Sequence, residues 1–158
     1  MSEREDIDNY FMKMAFLVAT RATCTRRRVG SVLVLDKKVI STGYNGSPAG
    51  VEHCTVDTCI RRKLNIPSGQ NQELCRGSHS EANAIAQAAS TGTPTQGSTI
   101  YCTTKPCVYC AKMLINAGVK RIVFNEDYGG NENSLTDEIL GQADVVVDVI
   151  NVNVEDEQ

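Results

Sequence analysis

STIYCTTKPCVYCAKMLINAGVKRIVFN, residues 98–125, is the stretch whose reading decides the fold. Residues 98–104 (STIYCTT) are dense in β-branched and aromatic side chains and read as a strand. Pro106 then opens a helix, where its missing N–H would be an orphan in any case, and Gly118 is placed to cap that helix at its C-terminus. Residues 119–125 (VKRIVFN) return to a strand. Beyond them come a polar loop with Gly129 and Gly130, a short helix over 134–141, a last strand over 143–150 and an acidic tail, 151–158, expected to fray. Before them, residues 79–90 (HSEANAIAQAAS) are alanine-rich and read as a buried helix, followed by a loop over 92–97. Residues 29–36 (VGSVLVLD) and 38–44 (KVISTGY) read as paired strands joined by a tight turn at Asp36-Lys37-Lys38. Residues 6–22 place Tyr10, Phe11, Met14, Leu17 and Val18 at helical spacing, with Asp6 or Asp8 as the cap.

Strands alternating with helices give an α/β class, a three-layer α/β/α sandwich around a mixed five-stranded sheet, in one domain over 1–158. Residues 45–78 show no clean periodicity. They hold Gly46, Pro48, Gly50, Pro67, Gly69 and Gly77 with four potential metal ligands, His53, Cys54, Cys59 and Cys75. A long stretch without structure of its own is usually functional or tied down, and metal is the tie expected here.

Composition narrows the function classes. The chain of 158 residues is 41% hydrophobic and 22% charged, an ordinary globular profile. No apolar run approaches the roughly 18 residues of a membrane span, and the N-terminal MSEREDIDNY is acidic and polar, unlike a signal peptide, so a cytoplasmic location is expected. The net charge of −3 argues against nucleic acid as a partner. The basic runs Arg26-Arg27-Arg28 and Arg61-Arg62-Lys63 read either as solvated surface or as a source of one arginine for a small anion such as phosphate. Seven cysteines, an odd number, in a chain read as cytoplasmic point to metal ligation rather than disulfides. Both histidines, His53 and His79, lie close in sequence to cysteines.

Two motifs carry chemistry. His79-Ser80-Glu81 and Pro106-Cys107-Val108-Tyr109-Cys110 are each weak alone. In this order, each at the start of an expected helix, they match the H-x-E…P-C-x-x-C signature of zinc-dependent deaminases of nucleobases. One imidazole and two thiolates make three zinc ligands, leaving the fourth position for water, whose pKa the ion lowers toward roughly 7. Cys107 and Cys110 are three apart, on one helical face at a first turn where the macrodipole favours thiolates. Glu81 is then the proton shuttle, passing protons from that water to N3 of the base and to the leaving amine as C4 is attacked. A closed structural site completed by Cys102 is the alternative, but Cys102 falls mid-strand where packing is the better reading. A redox reading of CVYC leaves His79 and Glu81 unused.

CTRRRVGSV (24–32), GYNGSPAGVEHC (43–54), HSEANAI (79–85) and TTKPCVYCAKMLINAG (103–118) together resemble the deoxycytidylate (dCMP) deaminase family over nearly the whole chain. The family's usual His-Ala-Glu is His-Ser-Glu here; position 80 is neither ligand nor shuttle, so little consequence is expected of Ser80. The resemblance implies the cytidine deaminase-like fold and hydrolysis of dCMP to dUMP and ammonia, feeding thymidylate synthesis. It also implies a homohexamer activated by dCTP and inhibited by dTTP with Mg2+. By the same resemblance Asn45 contacts the substrate sugar, although Asn-Gly is also a strong turn signal. Gly43, Tyr44, Gly46 and Ser47 fall where the family places its allosteric nucleotide, or form a simple turn. Arg26 is the candidate phosphate contact, and Tyr128 the residue that closes over the base. Some family members carry a second, structural zinc, for which Cys24, Cys54, Cys59 and Cys75 are the expected ligands, with His53 as the substitute for one of them. Rival readings keep the chemistry but change the substrate to cytidine, a pterin or riboflavin precursor or adenosine in tRNA, or drop catalysis for a zinc-stapled assembly or nucleotide-sensing role.

Overall fold

The computed structural model of the chain describes residues 3–125, 134–152 and 154. Five strands form one sheet: β1 (Gly30–Leu35), β2 (Lys38–Tyr44), β3 (Thr99–Cys102), β4 (Arg121–Asn125) and β5 (Val146–Ile150), in the order β2-β1-β3-β4-β5. β1 runs antiparallel to β2 and β3, whereas β3–β4 and β4–β5 are parallel. The expected mixed five-stranded sheet is therefore present.

Its helices are α1 (Ile7–Ala19), α2 (Ile60–Lys63), α3 (Ser80–Ser90), α4 (Val108–Asn116) and α5 (Ser134–Gln142), with a single 3-10 turn at Gln72–Leu74. The pleat distributes side chains to two faces. Val32, Val34, Tyr101 and Val123 meet Phe11, Met12 and Ala15 of α1 on one side. Leu33, Ile100, Cys102, Ile122 and Phe124 meet Ala84, Ala111, Leu114 and Leu140 of α3, α4 and α5 on the other. Three layers result.

Local chemistry explains the joints. Asp36 and Lys37 have φ of 51° and 62°, the two-residue hairpin loop whose twist suits antiparallel strands, and Lys38 already belongs to β2. Asp6 caps α1, its carboxylate accepting from the N–H of Asp8 and of Asn9. Gly118, φ 80°, follows α4 as its αL terminator. Two glycines let helices lie on the sheet backbone. A Cβ at Gly30 would strike the Ala15 carbonyl of α1, and one at Gly43 would strike the Ser80 carbonyl and the Ala84 N–H of α3.

Two expectations change. Pro106 precedes the N-cap residue Cys107, so it sits just outside α4 rather than in its first turn. The tail does not fray from its first residue: Val152 is buried and its N–H donates to Asn125 Oδ1 at 2.9 Å. Gly129 and Gly130 lie outside the described residues. Residues 45–78 carry only α2 and the 3-10 turn, and bury only Gly46 and Cys59.

Candidate active site

The C-terminal ends of β2 and β3 and the start of β1 share one edge of the sheet, since Gly30 pairs with Tyr44 and Ser31 with Cys102. Two helices begin at that edge. His79 is the N-cap residue of α3 and Cys107 that of α4, both in extended backbone, and neither spends its side chain on capping its own helix. Both are therefore free to turn inward. The ligand atoms of His79, Cys107 and Cys110 all lie within 4.8 Å of one another, and His79 Nδ1 stands 3.5 Å from each sulfur. Among the described residues no other trio of His, Cys, Asp or Glu is so gathered. An imidazole and two sulfurs at this spacing fit a divalent, borderline-soft ion such as zinc.

The electrostatics agree with that donor set. The Cys107 thiol is drawn down to about 4, first by its hydrogen bond with Cys110 and, against the cost of burial, by the one with His79. Cys110 is pushed up as the other half of the pair, and the hydrogen bond to Cys107 holds His79 up. Glu81, in the first turn of α3, is only 4% exposed, and burial raises its carboxyl. A raised carboxyl is a better proton acceptor than an ordinary one.

Ser80 is not inert. Its Oγ lies 3.2 Å from Glu81 Oε2 and 2.6 Å from Ser31 Oγ, which in turn lies 3.4 Å from Cys102 Sγ. Ser31, Ser80 and Cys102 are all fully buried. With one proton per hydroxyl, the orientation Ser31 to Ser80 to Glu81 is the one that gives the carboxylate a donor. Cys102 packs in the core, as its strand position predicted.

His79, Glu81 and Cys107 open onto a cavity of about 160 Å³ that also reaches Asn45, Gly46, Arg26, Arg27, Arg61 and Lys105. Among the described residues Glu81 is the only carboxylate in the lining, against four cations. The basic runs are thus partly turned inward rather than left as solvated surface. Arg26 Nη1 donates to Ile66 O at 3.0 Å, Arg27 Nη2 to Thr104 Oγ1 at 2.8 Å, and Arg62 Nη2 to Thr25 O at 2.6 Å. The Arg26 and Arg62 bonds hold residues 45–78 to the chain just before β1. Lys105 pairs with Asp137 of α5 at 2.8 Å.

Asn45 lines this cavity, but its amide also works for the fold: Oδ1 accepts from Val29 N–H and Nδ2 donates to Arg27 O, both at 2.8 Å. Of the other glycine-loop candidates, Gly46 lines the cavity, while Gly43 is explained by the close approach of α3. Tyr44 is exposed and its carbonyl accepts from Asn83. Cys24, Cys54, Cys59 and Cys75 line a second, smaller cavity together with Ser47. Burial pushes the Cys54 thiol up, with Arg76 opposing and Cys59, Cys75 and Cys24 reinforcing, so the four sulfurs feel one another. No three of them come within 4.8 Å among the described residues. His53 is exposed and outside that lining, which leaves the all-cysteine set as the better fit. Tyr128 lies outside the described residues. Lys105 and the Ser31–Ser80 pair were not singled out from sequence, and Arg27 and Arg61 only as members of the basic runs; the inward turn of a basic run has no local signature.

The family model described as the cytidine and deoxycytidylate deaminase zinc-binding region matches residues 5–126. The chain is 38% identical over 151 residues to ComE operon protein 2 of Bacillus subtilis (strain 168), covering 96% of this chain and 75% of that protein. It is 36% identical over 144 residues to the deoxycytidylate deaminase of Saccharomyces cerevisiae, covering 91% of this chain but spanning only 45% of the yeast protein. The crystal structure of the dCMP deaminase of cyanophage S-TIM5 in complex with dCMP and dUMP superposes with a TM-score of 0.73 at 26% identity, over 94% of this chain and 100% of that one. The family match runs through both His79-Ser80-Glu81 and the Pro106–Cys110 motif, and the chain belongs to the cytidine and deoxycytidylate deaminase family.

Proposed function

We propose that this protein hydrolyses dCMP to dUMP and ammonia. The observation that carries the reading is the meeting of His79, Cys107 and Cys110 beside the buried Glu81, at the floor of a cavity whose rim is cationic. The cyanophage relative with dCMP and dUMP bound supports the substrate class. A zinc ion held by the three side chains would supply water acidified toward about neutral pH. Glu81 takes one proton from the attacking water and passes it to N3 of cytosine, then takes the second from the new C4 hydroxyl and gives it to the amine, which leaves as ammonia. Burial raises that carboxyl and so strengthens it as a proton acceptor. Asn45, fixed to Val29 and Arg27, presents a rigid amide to the substrate sugar, and Arg26 is a candidate phosphate contact.

The finer properties implied by the resemblance belong to the same reading: activation by dCTP, inhibition by dTTP with Mg2+ at the Gly43–Ser47 loop, a homohexamer, a supply of dUMP for thymidylate and a cytoplasmic location. The exposed Tyr10 and Leu17 of α1 and Tyr109 and Met113 of α4 are apolar surface that assembly would cover. Among the described residues no helix is long and apolar enough to cross a membrane. A second, structural zinc at Cys24, Cys54, Cys59 and Cys75 fits a segment that buries little apolar surface of its own.

Ammonia release from dCMP, cytidine and adenosine, measured side by side on one preparation, tests the substrate. Turnover of dCMP should exceed the other two. A chain that ignores dCMP and consumes cytidine belongs with the nucleoside deaminases instead.

A further inference from the structure

Two hydroxyls and a thiol lie where the sheet passes behind Glu81. Ser31 of β1 and Cys102 of β3 are direct partners across the antiparallel ladder. Ser31 shares its face of the sheet with Leu33, whose apolar cluster also holds Cys102, Ala84 of α3 and Ala111 of α4. Polar side chains are costly in such a core unless each is hydrogen-bonded, and these are. Ser31 Oγ lies 3.4 Å from Cys102 Sγ and 2.6 Å from Ser80 Oγ, and Ser80 Oγ lies 3.2 Å from Glu81 Oε2. Position 80 is also where the chain departs from the usual His-Ala-Glu. The departure supplies the hydroxyl that spans Ser31 and Glu81.

Proton counting orders the chain. Each hydroxyl has one proton, the thiol has one, and an ionised carboxylate only accepts. The Ser80 proton then goes to Glu81, the Ser31 proton to Ser80 and the Cys102 proton to Ser31. Burial, and after it the nearness of Glu81, push the Cys102 thiol well up, so its proton stays in place. Every donor is used once and none is left over.

We infer that Ser31 is a positioning residue for Glu81: acting through Ser80, it makes the sheet, and not helix α3 alone, fix the direction of the shuttle's carboxylate. This rests on the shuttle role of Glu81 proposed above. A lone hydroxyl can rotate, whereas Ser80 held from behind by Ser31 keeps one orientation and presents its proton to Oε2. Holding Oε2 from the core side leaves the other oxygen to the cavity that Glu81 lines. Proton transfer needs hydrogen-bond reach, so a carboxylate free to swing loses rate rather than binding. Ser31 does not line that cavity, and its route to the reaction is Ser80.

A double-mutant cycle on Ser31→Ala and Ser80→Ala tests this, with kcat and KM for dCMP, zinc content and melting temperature measured on each protein. Ser31→Ala should lower kcat about three- to tenfold with KM and zinc unchanged. The double variant should be no slower than Ser80→Ala alone, because Ser31 acts only through Ser80. It should also melt above either single variant: each single leaves one buried hydroxyl unpaired, whereas the double removes both. Binding gives a readout free of turnover. The deoxynucleotide of 2-pyrimidinone lacks the amine and mimics the tetrahedral centre once hydrated at C4. Ser31→Ala should bind it more weakly by the factor lost from kcat, and should bind dUMP as before. A Ser31→Ala protein that melts lower but matches wild type in kcat and in binding this analogue overturns the role, since the hydroxyl is then structural only. So does a double variant whose loss is the product of the two single losses. If the wild type consumes cytidine and not dCMP, the same cycle run on cytidine decides Ser31, and only the substrate reading falls. If Glu81→Gln turns over near the wild-type rate, the shuttle reading falls and Ser31 loses its role with it.

Discussion

Glu81 is delivered with a donor already in place. Ser80 Oγ lies 3.2 Å from its carboxylate, and Ser31 Oγ backs Ser80 at 2.6 Å. The sequence made His79, Glu81, Cys107 and Cys110 legible because ligand spacing and helix starts are local features. It hid the role of Ser80, because the partner that fixes its hydroxyl is 49 residues away, on β1. Ser80→Ala removes the donor and leaves the Ser31 hydroxyl without its partner in a buried site. We expect kcat for dCMP to fall about tenfold or more, the value of one hydrogen bond to a charged group, with KM and bound zinc unchanged. Steady-state kinetics with metal analysis decide it; a kcat equal to wild type removes Ser80 from the positioning of Glu81.

At the scale of elements, the inner strands β1, β3 and β4 were readable because their apolar side chains run to two buried faces, and α1 because its apolar stripe has helical spacing. The placement of α1 was not readable. Asp8 takes Arg121 Nη1 and Nη2 at 2.9 and 2.7 Å and the Tyr101 hydroxyl at 2.7 Å, while Arg121 Nε donates to Asp148 at 2.8 Å, joining α1 to β3, β4 and β5. These partners are between 93 and 113 residues from Asp8, beyond any pattern in a window. The Arg121 hydrogen bonds hold the Asp8 carboxyl below its ordinary value. A carboxyl depressed in the folded state stabilises above its unfolded pKa of about 3.9 and loses that contribution as pH falls through the folded value. Asp8→Asn should therefore cost about 1–3 kcal/mol at pH 7 and less as the pH drops below about 4. Urea midpoints for both proteins from pH 7 to pH 3 measure the difference; a gap that stays constant with pH contradicts the linkage.

Taken whole, the molecule is a sheet with helices on both faces and one long segment, 45–78, that the core does not hold. The sequence showed that segment as irregular and rich in ligands, and its lack of periodicity follows from how little it buries. Its attachment became visible only in three dimensions, as arginine-to-carbonyl bonds and a cavity shared by Cys24, Cys54, Cys59 and Cys75. The same fold places four cations around one opening although the chain carries a net charge of −3, a distribution that composition averages away. If the four cysteines hold a structural ion, the purified protein contains about two zinc ions per chain, and Cys54→Ser contains about one, with a lower melting temperature. Metal analysis of both proteins tests this; a single ion in the wild type rules the second site out.

The central claim is that Glu81 moves protons at a metal held by three other residues. Replacing Glu81 with Gln and measuring dCMP turnover and zinc content on the same sample tests it most directly. Turnover should fall by about a hundredfold to ten-thousandfold with zinc per chain unchanged. A variant that keeps its zinc and turns dCMP over near the wild-type rate contradicts the account.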